Sequence, residues 1–155
     1  MQPIIGPMTE SDVEAVARLR IAAFFEGSAR TLDEDAAGLR ELLNGDGFET
    51  ALVARIGDAP VGTCLLVRHE LEPAHKLTPW LAGLVVDRDH RGRGIGRALV
   101  AAIEAHAAST GVEKLYLYTW EARDFYAGIG WAVVESFEQD GYPMLLMSRE
   151  LIGKH

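Results

Sequence analysis

The run WLAGLVVD, Trp80 to Asp87, passes without a linker into RDHRGRGIGRALVAAIE. No other stretch limits the possible folds as much. Apolar residues on both faces of the first segment predict a central strand covered on both sides, as in an α/β architecture. Gly83 inside that strand predicts a bulge or a close backbone approach. In the second segment Ile95, Leu99, Ala102, Ile103 and His106 recur on one face, and Gly111 stands where a C-terminal glycine cap belongs, so a helix follows.

Strand and helix periodicities place the other elements around this junction. PII before Gly6-Pro7 predicts a short first strand. In TESDVEAVARLRIAAFF, Thr9 or Ser11 can cap a helix in which Val13, Val16, Ala17, Leu19, Arg20 and Phe24 keep helical spacing. A second helix begins near Thr31 or Asp33. Asp33, Glu34 and Asp35 suit its first-turn dipole, Leu39, Leu42 and Leu43 form its inner face, and Asn44-Gly45 stops it. FETALVARIGDAPVGTCLLVRHE predicts a hairpin turning at GDAP, EKLYLYTW a strand, and EARDFYAGIGW a short helix with Phe125 and Ile129 on one face and Gly130 at its end. WAVVESFEQ and MLLMSREL form a last hairpin across DGYP. The order is β-α-α-β-β-β-α-β-α-β-β, an α/β fold with a mixed sheet, and 155 residues without repeat or linker predict one domain over 1–155.

A formal net charge of −8, from 23 acidic and 15 basic residues, disfavours binding to nucleic acid by a broad electrostatic footprint. Any anion site is therefore local. Arg88, Arg91, Arg93 and Arg97 cluster at the start of a helix, the end whose dipole disfavours cations. A bound phosphate removes that conflict, because it accepts hydrogen bonds from first-turn amides and attracts guanidinium groups. Glycines there allow positive φ and close backbone approach. Two other phosphate loops fail on spacing: a P-loop requires Lys then Ser or Thr where Arg97-Ala98 stands, and Gly92, Gly94 and Gly96 give G-x-G-x-G rather than the dinucleotide G-x-G-x-x-G. The remaining reading without function is a tight strand-to-helix turn with a solvated basic surface.

Arg91-x-x-Gly94-x-Gly96 resembles motif A of the GNAT superfamily of acyl-CoA N-acyltransferases, and FYAGIGW is similar to that family's FYxxxGF segment. The resemblance runs along nearly the whole chain and implies a mixed, mostly antiparallel central sheet flanked by helices. It also implies acetyl-CoA as co-substrate. Its pyrophosphate would take the amides of Arg91, Gly92, Arg93, Gly94, Ile95, Gly96 and Arg97, and its pantetheine arm the backbone of Leu84, Val85 and Val86. Tyr126 matches the family's general acid; taken alone it reads as an amphipathic core tyrosine. The strand from Trp80 to Val86 lacks the carboxylate that many members use as base. Candidate bases are Glu70, ranked first, His69 and Glu26, each also readable as a solvated surface group.

The function implied is direct acetyl transfer to a primary amine, in a small molecule or a peptide or protein amino group. The alternative is an acyl-CoA sensor of the same fold that turns nothing over. A third reading, acetylation of aminoacyl-tRNA, conflicts with the net charge. HELEPAH lacks the second histidine of H-E-x-x-H, with Pro73 in its place, so no metal is expected. Trp80 and Trp131 are expected in the core or a pocket wall, and Trp120 at the acceptor cleft or in packing. Asp33, Glu34 and Asp35 with Glu26, Glu70 and Glu72 would make that cleft negative and suit a cationic amine. Cys64, the single cysteine, sits in VGTCLLV and is expected to be a buried inert thiol in a reducing compartment. The N-terminal MQPIIGPMTE has no signal-peptide pattern and no apolar run reaches about 20 residues. The expectation is a cytoplasmic protein without membrane attachment; dimers are common in the family, and the oligomeric state stays open.

Overall fold

A computed structural model describes residues 2–69 and 76–151. Its elements follow the expected order: β1 (Ile4–Pro7), α1 (Val13–Phe24), α2 (Leu32–Leu43), β2 (Thr50–Ile56), β3 (Ala59–Val67), β4 (Trp80–Val86), α3 (Ile95–Ser109), β5 (Lys114–Thr119), α4 (Arg123–Gly128), β6 (Ala132–Gln139) and β7 (Tyr142–Glu150). Short 3₁₀ turns at Glu10–Asp12 and Arg88–His90 precede α1 and α3.

The strands form one seven-stranded sheet in the order β1-β2-β3-β4-β5-β7-β6. Every neighbouring pair is antiparallel except β4 with β5. The hairpins close over Gly57-Asp58 and over Asp140-Gly141. In the latter, φ of 51° and 83° puts both turn residues in the left-handed region, matching the right-handed strand twist.

Two apolar layers cover the sheet, and β2 distributes its side chains between them by simple alternation. Leu52 and Ala54 join Ile95, Leu99, Val100 and Ile103 of α3, whereas Ala51 and Val53 join Val13, Val16 and Ala17 of α1 and Leu39 of α2. β4 does the same with Leu81 and Ala82. Trp80 and Trp131 are buried, as expected. Two expected inner-face residues are not. Leu43 ends α2 at 37% exposure, and Phe24 ends α1 at 46%, where that helix becomes a cleft wall.

The acidic start of α2 also differs from the dipole reading. Thr31 and Glu34 form a reciprocal cap: the Glu34 N–H donates to Thr31 Oγ1 at 3.1 Å and the Thr31 N–H donates to Glu34 Oε1 at 2.8 Å. Asp35, by contrast, is buried and accepts from Arg20 Nε at 3.0 Å and Arg30 Nε at 2.9 Å. It ties α1 to α2. Among the described residues no helix is long and apolar enough to cross a membrane.

Candidate active site

The site begins with a register fault in the middle of the sheet. Thr63 pairs with Val85 but Leu65 pairs with Ala82, so β4 carries one residue too many between these pairs, at Gly83-Leu84. Gly83 has φ of +63°, the left-handed conformation that the bulge demands and glycine adopts without strain. The bulge expected from a glycine within an apolar strand is present.

On its other side β4 meets β5 in a single register pair, Trp80 with Tyr116, supported by the Tyr116 N–H donating to the Pro79 carbonyl at 3.2 Å. The parallel strands then separate. A cleft of about 590 Å³ opens in the gap, with Gly83 and Leu84 on one side and Tyr118, Thr119, Trp120 and Glu121 on the other. Arg20, Phe24 and Phe25 from the end of α1 and Tyr126 from α4 complete its walls. Splayed strands leave main-chain donors and acceptors that need partners, so an extended ligand can add here as a strand would.

At the far end of β4 the chain turns into the arginine-glycine loop. The Asp87 N–H donates to the Val61 carbonyl at 2.7 Å, the His90 N–H returns to the Asp87 carbonyl at 2.9 Å, and Arg91 Nε donates to the Val86 carbonyl at 3.1 Å. Gly94 caps α3 with φ of +82°, and the first hydrogen bond of the helix runs from the Ala98 N–H to the Gly94 carbonyl at 3.0 Å. The N–H groups of Ile95, Gly96 and Arg97 precede that bond and no acidic side chain occupies the first turn. Nothing stands within 4 Å of a β-carbon placed on Gly92 or Gly94, so the sign of φ, rather than crowding, accounts for glycine at both. This donor set suits a pyrophosphate: unpaired first-turn amides, a positive dipole end and nearby guanidinium groups. The loop from Arg91 to Arg97 thus follows closely on the last residues of the bulged strand, Leu84, Val85 and Val86, of which Leu84 lines the cleft.

Tyr126 is 7% exposed, lines the cleft and is held between Phe125 and Trp131, at ring-centroid distances of 5.0 and 6.0 Å. Trp131 is anchored in turn, its Nε1 donating to Glu104 of α3 at 3.1 Å. Burial pushes the Tyr126 hydroxyl above its ordinary pKa, and buried Cys64 adds to that shift. The phenol is therefore neutral at physiological pH, a donor without protein partner among the described residues.

The candidate bases fare differently. Glu70 and Glu72 lie outside the described residues. His69 and Glu26 are exposed, and neither lines the cleft. Among the described residues the acidic one that lines it is Glu121, exposed and just past β5. Its signal in the sequence was its position between a predicted strand end and FYAGIGW. Of the acidic residues expected at the cleft, Asp35 is taken up by two arginines and Glu70 and Glu72 lie outside the described residues; among the described residues the charged ones lining the cleft are Arg20 and Glu121. Arg20 had been read only as one of the helically spaced positions of α1; an arginine at a core-facing position was the available clue. Trp120 lines the cleft and stacks edge-on to Tyr142 at 5.2 Å. Among the described residues no group of three or more His, Cys, Asp or Glu side chains is placed to hold a metal ion.

The sequence matches the Acetyltransferase (GNAT) family over residues 13–131. The same fold occurs in the crystal structure of an aminoglycoside 6'-N-acetyltransferase complexed with coenzyme A, with a TM-score of 0.78 and 20% identity over 98% of this chain and 99% of that one. It occurs also in a ribosomal-protein-alanine N-acetyltransferase from Brucella melitensis, with a TM-score of 0.80 and 21% identity over 96% and 99% of the two chains. N-alpha-acetyltransferase 80 of Mus musculus is 40% identical over 81 residues, which are 51% of this chain but 25% of that protein. The splayed parallel pair, the glycine loop capping α3 and the family match agree: this chain belongs to the GNAT acetyltransferase family.

Proposed function

We propose that the chain is an N-acetyltransferase that moves an acetyl group from acetyl-CoA to a primary amine by direct attack in a ternary complex. The observation that carries this reading is the single-pair β4–β5 junction, which opens the cleft beside the glycine loop. Acetyl-CoA supplies an activated thioester. The amides from Arg91 to Arg97 hold its pyrophosphate, and the free backbone edge of Leu84, Val85 and Val86 pairs with its pantetheine arm. A backbone N–H near Val86 stabilises the oxyanion that forms when the amine attacks. The C–S bond then breaks, and Tyr126 stabilises the departing thiolate first as a hydrogen-bond donor and then as proton donor.

Deprotonation of the acceptor ammonium requires a base. Glu70 keeps its rank from the sequence, and Glu121 joins it as the acidic residue that lines the cleft among the described residues. Glu→Gln at each position separates them, because the base variant loses the acidic limb of the pH–rate profile. The named relatives with this fold act on acceptors as different as an aminoglycoside and a ribosomal-protein alanine, so the fold alone does not select the acceptor. Thiol release from acetyl-CoA across a panel of amines, amino acids and peptides tests the reading. Binding of acetyl-CoA without thiol release for every acceptor would instead identify a sensor.

A further inference from the structure

Arg20 presents a guanidinium edge to the cleft that its structural partners do not use. Its Nε and Nη2 donate to Asp35 Oδ2 and Oδ1 at 3.0 and 3.3 Å, a two-pronged grip. The remaining nitrogen, Nη1, has no hydrogen-bond partner among the described residues and lies over the β4 bulge, 2.5 Å from where a β-carbon on Gly83 would stand. Asp35 is also claimed by Arg30, so two guanidinium groups share one buried carboxylate, and Glu34 adds a second negative charge on the Arg30 side rather than on the Arg20 side of the cluster. The Phe25 ring lies under both, its centroid 5.9 Å from Arg20 Cζ and 5.3 Å from Arg30 Cζ, which limits water on that side. The Arg20 side chain is 13% exposed. Tying α1 to α2 requires only the edge facing Asp35. A guanidinium edge held in place by Asp35 and left open to the cleft is pre-positioned to donate to an anion there.

We infer that Arg20 Nη1 binds a carboxylate of the acceptor, so that the preferred substrates are amino carboxylates, such as free amino acids, in preference to polycationic amines. Glu121 on the same cleft wall provides the opposite charge for the acceptor's ammonium group. A zwitterion therefore meets both charged side chains, whereas a polyamine meets Arg20 as a like charge. This inference rests on the proposed acetyl transfer, because it assigns the acceptor of the same cleft. A carboxylate could also enter on the acyl group of a dicarboxylic acyl-CoA. The placement of Arg20 on α1, the wall opposite the glycine loop's helix across the sheet, favours the acceptor.

The experiment compares kcat/KM for amino acids and their carboxamides with acetyl-CoA, in wild type, Arg20→Gln and Arg20→Lys, alongside calorimetric titration of the same compounds into the CoA-loaded protein. The carboxylate form is expected to exceed its amide at least about tenfold in wild type, a ratio that collapses towards unity in Arg20→Gln and is partly restored in Arg20→Lys. Because the ratio is internal to each variant, partial loss of folded protein does not alter it. Equal use of acid and amide by wild type, or a preference that persists in Arg20→Gln, overturns the inference while leaving acetyl transfer standing. A succinyl-CoA that restores the rate with amides also overturns it, by moving the carboxylate to the donor. Arg20-dependent binding of amino acids without thiol release supports the carboxylate site and removes the acetyltransferase reading. Neither binding nor discrimination removes the site.

Discussion

The Arg20 guanidinium rests on Gly83, with Nη1 2.5 Å from the position a β-carbon would take at that residue. The bulge in β4 and the only guanidinium lining the cleft thus occupy one another's space among the described residues. Gly83→Ala faces two costs. The left-handed φ of +63° disfavours any side chain by about 1–2 kcal/mol, and the methyl group must displace an arginine pinned by Asp35. A lowered urea midpoint and a raised acceptor KM, each compared with wild type, are expected. An unchanged acceptor KM would show that Arg20 does not contribute to the acceptor site.

Tyr126→Phe removes the buried hydroxyl and keeps the ring between Phe125 and Trp131. If the phenol protonates the leaving thiolate, kcat falls about 10²–10⁴-fold. The KM for acetyl-CoA changes little, since the ring still packs. Wild-type kcat in this variant at saturating acetyl-CoA would take Tyr126 out of the acid role.

Tyr126 has its pKa raised by burial, so its proton is retained through the neutral range and lost only above the ordinary tyrosine value of about 10. An alkaline decline in kcat centred well below that value therefore belongs to another group. A pH–kcat profile of wild type checks this directly, and its limb below about 10 should survive in the residual activity of Tyr126→Phe.

Asp12 is buried beside Arg55, which donates from Nε to Oδ1 at 3.1 Å and from Nη2 to Oδ2, while Thr9 donates from its backbone N–H at 2.8 Å. Burial alone would raise this carboxyl; the hydrogen bonds from Arg55 and Thr9 outweigh it and hold the pKa below the usual 3.8. A depressed folded value means that the stabilisation is complete above the unfolded pKa and disappears as pH falls through the folded one. Asp12→Asn should lower the urea midpoint at neutral pH, and the gap to wild type should narrow towards about pH 2. A gap independent of pH would show that packing, rather than charge, is what the substitution removes.

Cys64 is fully buried and its thiol is pushed well above the ordinary range by that burial. It is expected to ignore Ellman's reagent in the folded protein and to react once in denaturant. Thiol titration with and without urea measures this, and the same result makes released CoA the only thiol seen in a turnover assay.

The junction from β4 into α3 was legible because its determinants are local. A doubly apolar strand, glycines needing positive φ and a helical repeat each act within a few residues, and the observed bulge, Gly94 cap and buried Ile95, Leu99 and Ile103 follow from them. The same holds for the order of the elements and for the two hairpins. Tyr126 became visible only through its motif, since a tyrosine on a short helix has no local signature of acid chemistry. Burial against Cys64 and Trp131 is a property of the assembled core.

Charges were the least legible. Asp35 looked like a dipole-complementing acid because its own neighbours in sequence are acidic. Its partner Arg20 lies 15 positions earlier, and meets it only because α1 and α2 pack side by side. Likewise Glu121 lines a cleft that exists because Trp80 pairs with Tyr116 and the strands then part. The sequence by itself determined the element order, the bulge at Gly83 and the loop that caps α3, since backbone sterics and periodicity operate at short range. The tertiary structure alone decided that Arg20 and Glu121 are the charged residues lining the cleft among the described residues. Side chains far apart in sequence acquire a shared, poorly hydrated environment only when the sheet and helices close around them.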